Sequence, residues 1–202
     1  MDIQALIFDI GGVLVRTVDR SPRTALARRL GMTYEALEEL VFGGESGRRA
    51  QRGEISAQEQ WAHVCRQLEW PLDRWLALQQ EFFAGDRLDT ELIDDIRTWR
   101  RRYKTGIISN ALSDVRATIA SQWHFEDAFD VIVTSAEVGV MKPDARIFQV
   151  ALQALAVQPQ QAVFIDDFPR NVEGAKVIGM QAIHFRNPGQ VKDELRQLLT
   201  WL

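Results

Sequence analysis

The segment Ala5-Leu6-Ile7-Phe8-Asp9-Ile10-Gly11-Gly12-Val13-Leu14 constrains the fold most, because an apolar run ends abruptly at one carboxylate followed by two glycines. An apolar run without alternation reads as a strand covered on both faces, as in parallel sheets flanked by helices. Open sheets of that kind place ligands beyond the carboxyl ends of their strands, and Asp9 falls there. Gly11 and Gly12 let the backbone turn sharply and bring bare N–H groups close to an anion. Taken alone, the fragment also reads as an aspartate that merely caps a turn.

Three later fragments share this character. Ile107-Ile108-Ser109-Asn110 is an apolar strand ending in small hydrogen-bonding side chains. Val140-Met141-Lys142-Pro143-Asp144 sets a lysine ahead of a helix start, with Asp144 able to cap. Ala162-Val163-Phe164-Ile165-Asp166-Asp167 is a third apolar strand, ending in a carboxylate pair with Asn171 shortly beyond.

From Asp89 onward, helix-period and strand-period segments alternate, with strands expected at 106–109, 131–134, 163–165 and 182–185. Alternation of this kind predicts a parallel sheet with crossover helices. Between Thr17 and Arg87 no strand-like run occurs. Four helical segments are expected there, around Leu26 and Leu30, around Leu37, Leu40 and Val41, around Trp61, Val64, Cys65 and Leu68, and around Trp75, Leu78, Phe82 and Phe83. The chain therefore reads as α/β: a Rossmann-like parallel sheet core from residues 1–16 and 88–202, with an inserted four-helix cap over 17–87. At 202 residues and 46% hydrophobic content it is long enough for one such core plus a small accessory module.

In their order, Asp9, then Ser109-Asn110, then Lys142-Pro143, then Asp166-Asp167, the fragments resemble the four motifs of the haloacid dehalogenase superfamily. The resemblance spans Ala5 to about Ile183. Within that superfamily the chain is similar to the capped phosphatases that include the N-terminal phosphatase of soluble epoxide hydrolases and bacterial α-D-glucose-1-phosphate phosphatase. Gly53-Glu54-Ile55-Ser56, Gly139-Val140-Met141-Lys142-Pro143 and Phe164-Ile165-Asp166-Asp167 carry that likeness.

The resemblance implies a Mg²⁺-dependent phosphomonoesterase acting on a small phosphorylated metabolite, such as a sugar phosphate, with the cap closing over the site to select it. Asp9 would be the nucleophile, forming an aspartyl phosphate that splits one difficult displacement into two easier ones. Nucleophile and phosphate are both anionic, so positive charge from Mg²⁺ and Lys142 would bring them together. Asp9, the Gly11 carbonyl and Asp167 would ligate the metal, Asp166 and Asn171 would support it, and Ser109, Asn110, Lys142 and the Gly11 backbone would hold the phosphate. Asn110 also reads as a helix N-cap.

One position departs from the family pattern. A second aspartate, the general acid, usually follows two residues after the nucleophile, and here that residue is Gly11. Three explanations compete: a leaving group good enough to depart unassisted, a substitute acid, or a catalytically weak relative that binds a phosphometabolite or protein. A dehalogenase is the enzymatic alternative, but the resemblance implies that such enzymes lack the Asp166-Asp167 pair.

Other features point away from chemistry. A formal net charge of -4 argues against nonspecific nucleic-acid or anionic-membrane binding. Arg48, Arg49 and Arg52 are expected in a cap loop, and the run Arg100-Arg101-Arg102 at a helix end suits the helix dipole. His63, His124 and His184 form no cluster and read as structural. Cys65 is the only cysteine, compatible with a reducing compartment. Without a long apolar run or a basic leader, a cytoplasmic location is expected. Monomer and homodimer stay equally open.

Overall fold

The structure is a computed structural model and describes residues 2–199. Residue 1 and residues 200–202, the outer ends of the expected core, lie outside the described residues. The chain opens with β1 (Ala5–Phe8) and, after the glycine turn, β2 (Val15–Thr17). Helices α1 (Ser21–Arg29), α2 (Tyr34–Glu38), α3 (Glu45–Gln51), α4 (Ala57–Gln67) and α5 (Trp75–Phe82) follow, and then β3 (Asp86–Leu88). The remainder is α6 (Thr90–Trp99), β4 (Lys104–Ser109), α7 (Val115–Thr118), β5 (Val131–Thr134), α8 (Ser135–Val138) and α9 (Ala145–Ala154). It closes with β6 (Ala162–Asp166), α10 (Pro169–Val177), β7 (Gln181–His184) and α11 (Pro188–Leu198).

Five strands form one parallel sheet in the order β5-β4-β1-β6-β7. The chain winds outward from β1 through β4 to β5, then returns to the far side of β1 for β6 and β7. Its direction therefore reverses between β1 and β6, and such a reversal opens a crevice at the carboxyl ends of the strands. Phe8 pairs with Ile165, which sets Asp9 level with Asp166 across that crevice.

Period-two alternation explains why both faces are covered. Leu6, Phe8, Val163 and Ile165 pack with Leu92, Ile93 and Ile96 of α6 and Val191 and Leu195 of α11. Ala5, Ile7, Ala162 and Phe164 turn the other way, against Ile147, Phe148 and Ala151 of α9 and Ala175 of α10. A strand buried on both sides cannot slip register without exposing one set. The geometry at the carboxyl ends of the strands is thus fixed by the apolar runs beneath it.

The inserted helices have a core of their own, including Leu26, Leu37, Val41, Trp61, Val64, Leu78 and Phe82. Antiparallel pairing of β2 with β3, Val15 opposite Leu88 and Thr17 opposite Asp86, carries the chain out and back. Buried Arg23 ties the insertion to that ribbon through Asp86, and to its own helices through Glu38 and the Phe82 carbonyl. Ser56 and Glu59 form a reciprocal capping box that starts α4.

Two local expectations need correction. Residues between Gly44 and Gly53 form α3 rather than a loop, so the insertion has five α-helices instead of four. Glu45 in its first turn and Arg48 and Arg49 in its last complement the helix dipole, and Gly47 lies where a Cβ would come within 2.6 Å of the Phe42 backbone. The three arginines are paired with Glu45 and Glu54. Asn110 is not an N-cap, because α7 begins only at Val115, with Asp114 in the capping position.

Candidate active site

Asp9, Asp166 and Asp167 converge at the β1/β6 crevice, each offering a carboxylate oxygen within 4.8 Å of the others. Lys142 stands among them, buried. Its ammonium has three N–H groups, and it lies 2.8 Å from Asp9 Oδ2, 2.6 Å from Asp166 Oδ2 and 2.9 Å from the Ile108 carbonyl. The lysine can therefore neutralise the Asp9 charge directly, but it reaches any further anion only by exchanging one of these contacts.

The two adjacent aspartates differ in how they are satisfied. Asp166 accepts from Lys142, from the Phe168 N–H at 2.8 Å, and from Asn171 Nδ2 at 3.0 and 3.1 Å. Asn171 occupies the first turn of α10, where helix geometry aims its amide back at the strand end. Asp167 Oδ1 is buried with no hydrogen-bond partner. A buried, unsatisfied carboxylate oxygen beside two more carboxylates is unfavourable alone and suits a hard divalent cation, which takes oxygen ligands. Asp9 and Asp167 offer carboxylate oxygens to such an ion, with Asp166 alongside them and engaged by Lys142 and Asn171.

Electrostatics agree with that asymmetry. Burial raises the Asp9 carboxyl to about 7; Lys142 opposes the shift, the Asp166 charge adds to it, and hydrogen bonds from Lys142 and Ser109 oppose it. Asp167 is raised to about 6 by burial first and by Asp166 second. The site holds more negative charge than one lysine offsets.

The remaining expected residues are placed as follows. Ser109 is buried at the end of β4, near enough to Asp9 to favour its ionised carboxylate. Asn110 closes on the Lys142 backbone, accepting from its N–H at 2.8 Å and donating to its carbonyl at 3.1 Å. Its carboxamide is therefore engaged in holding the lysine. The Ile10 N–H donates to Asp9 Oδ1 at 2.7 Å.

Two contacts beside Asp167 depend on tertiary register and are not specified by the sequence. The His184 ring meets the Asp167 carbonyl at 2.9 Å, because β7 pairs with β6 so that His184 stands opposite Asp166. Gly12 has φ +78° and lies where an added Cβ would come 2.1 Å from Asp167 Oδ2. The paired glycines were a signal for a close approach, but only the fold shows which residue approaches. Gly12→Ala is expected to lower the melting temperature, since a left-handed conformation costs a non-glycine residue roughly 1–2 kcal/mol. It should also blunt any Mg²⁺-induced rise in melting temperature by displacing Asp167; an unchanged rise would show that Asp167 is not a ligand.

The family of haloacid dehalogenase-like hydrolases matches residues 3–179. The chain belongs to this family. Mouse acyl-CoA dehydrogenase family member 10 is 30% identical over 97% of this chain, which spans 19% of that protein's length. A Mycobacterium tuberculosis (strain CDC 1551 / Oshkosh) protein named phosphatase MT3486 is 29% identical, with 96% of this chain and 92% of that protein covered. Among solved structures, a haloacid dehalogenase family enzyme from Bacteroides thetaiotaomicron, crystallised with magnesium and inorganic phosphate, superposes with a TM-score of 0.76. It is 19% identical, over 94% of this chain and 98% of that one, and shares the fold. No described helix is long and apolar enough to cross a membrane.

Proposed function

We propose that this hydrolase is a Mg²⁺-dependent phosphatase of a small phosphorylated metabolite, with residues 17–87 acting as the substrate-selecting cap. The observation that carries the reading is the arrangement of one lysine and three carboxylates around an unsatisfied Asp167 oxygen at the sheet's switch point. The mycobacterial and Bacteroides relatives support it by their names and contents.

Asp9 attacks phosphorus and the ester oxygen leaves, giving a phospho-aspartate that water then hydrolyses. Lys142 opposes the burial that favours protonated Asp9 and, with Ser109, orients the attacking carboxylate. Asp166, gripped by Asn171 and the Phe168 N–H, fixes the lysine. Bound at Asp9, the Gly11 carbonyl and Asp167, Mg²⁺ would supply charge neutralisation at the reacting phosphoryl group. A carbon-directed attack needs no cation, and would leave the crowded carboxylates as an electrostatic liability without a use.

The test is a hydrolysis screen over sugar, acyl, aryl and nucleotide phosphates, with Mg²⁺ or a chelator. Turnover should require the metal; equal rates after chelation, or no hydrolysis of any phosphate, would overturn the reading. A pH dependence follows. Protons on Asp9 and Asp167 compete with the cation, so Mg²⁺ affinity should rise from pH 5 to about pH 8 as carboxyls of about 7 and about 6 ionise, with proton release on binding. Titration calorimetry in buffers of different ionisation enthalpy measures both; a pH-independent affinity would contradict it.

A further inference from the structure

The five residues after Ser109 are each tied to a different part of the molecule. Asn110 clasps the Lys142 backbone. The Ala111 N–H donates to Ser135 Oγ of α8 at 3.0 Å. Leu112 leaves the sheet domain altogether: its side chain is 5% exposed and belongs to the apolar core of the inserted helices. Ser113 Oγ accepts the Ala57 N–H at the first residue of α4 at 3.0 Å, and Asp114 Oδ2 accepts from Gln79 of α5 at 2.8 Å. On the same side, Gly53 abuts α8 so closely that a Cβ would sit 2.0 Å from the Ala136 carbonyl.

We infer that Asn110–Asp114 couples the seat of the cap to the catalytic lysine, with Leu112 as a positioning residue that holds Lys142 and Ser109 in register with Asp9. A leucine on a short core loop has no reason of its own to be buried in another element's core. Once there, it makes the loop move with the cap. Its N-terminal neighbours are bonded to α8 and to Lys142, so a displacement of the cap passes along the loop to the two groups that orient the nucleophile. The ribbon of β2 and β3 is therefore not the only joint between cap and core. Misplacement by about 1 Å far from the reacting atoms is enough to slow a preorganised site by up to about 100-fold.

This inference rests on the phosphatase reading for its kinetic test and on backbone exchange for a test independent of it. Leu112→Ala is compared with Leu37→Ala, which removes the same side chain from the same apolar core on α2, an element that the loop does not bond. Expected for Leu112→Ala are a kcat lower by about 10- to 100-fold with KM changed by less than about threefold, and recovery in Leu112→Met. Amide exchange should quicken at Ala111 and Lys142, whose N–H groups the loop geometry protects. Leu37→Ala should match the loss in melting temperature without either effect. Ser113→Ala, a milder break at the α4 contact, should shift both readouts in the same direction if Leu112→Ala does not fold. Equal kcat losses in Leu112→Ala and Leu37→Ala at matched melting temperature, or unchanged exchange at Ala111 and Lys142, would overturn the coupling. If the wild-type chain hydrolyses no phosphate, the proposed function fails, and the exchange comparison still decides the coupling.

Discussion

Asp9→Asn is expected to lower phosphatase turnover by roughly 10⁴-fold or more while raising the stability of the metal-free protein at neutral pH. The amide keeps the side chain's shape but cannot attack phosphorus. Its effect on stability follows from the raised carboxyl. In the folded chain Asp9 holds its proton to about 7, against an ordinary carboxylate value near 4 in the unfolded chain. The folded state thus binds the extra proton, so the wild-type metal-free protein loses stability as pH rises from about 4 to 7, and the deficit persists above. Asparagine carries no such charge. The variant should therefore gain on the order of a few kcal/mol relative to wild type above pH 7 and little below pH 4. Melting temperatures of both proteins across that range, in chelator, provide the check. Retained turnover would remove Asp9 as nucleophile; a variant less stable at pH 8 than wild type would show that Lys142 depends on the Asp9 charge more than the site suffers from it.

The parts of the site that could be read from sequence are those carried on strand ends. Asp9, Ser109 and Asp166 each terminate an apolar run, and parallel pairing of β1, β4 and β6 must bring such ends to one edge. Lys142 was legible through its place before the Asp144 cap of α9, where Asp144 does accept the Arg146 N–H. What could not be read are partnerships set by tertiary register. Asn110 and Lys142 are 32 residues apart, and nothing local states that one carboxamide will grip the other's backbone. His184 meets Asp167 only because β7 adds beside β6. Helix α3 is hard to read from sequence because glycines stand at 44, 47 and 53, and Gly47 serves a close helix contact that only the fold reveals. Leu112 carries no local signal of its place, which is set by which core receives it.

Gly11→Asp is expected to accelerate hydrolysis of phosphates with poor leaving groups by up to about 10²- to 10⁴-fold, the usual range for general acid–base help, and to change good leaving groups little. The structure removes the main steric objection to this variant. Nothing lies within 4 Å of a Cβ built on Gly11, and its φ falls outside the left-handed region that holds Gly12. A side chain is therefore accommodated, and the backbone carbonyl remains where a cation would use it. In the proposed mechanism, if no other group supplies the proton that Gly11 cannot, an alkoxide leaves unprotonated, whereas aryl, acyl and anomeric leaving groups depart with less help. In the wild-type chain log(kcat/KM) should thus fall steeply with leaving-group pKa across a matched series, and in Gly11→Asp the slope should flatten. Folding and Mg²⁺ response are verified first by melting temperature. A shallow wild-type slope, unaltered in a folded and metal-responsive Gly11→Asp protein, would mean that a proton already reaches the leaving group from elsewhere, and the search would move to the cap.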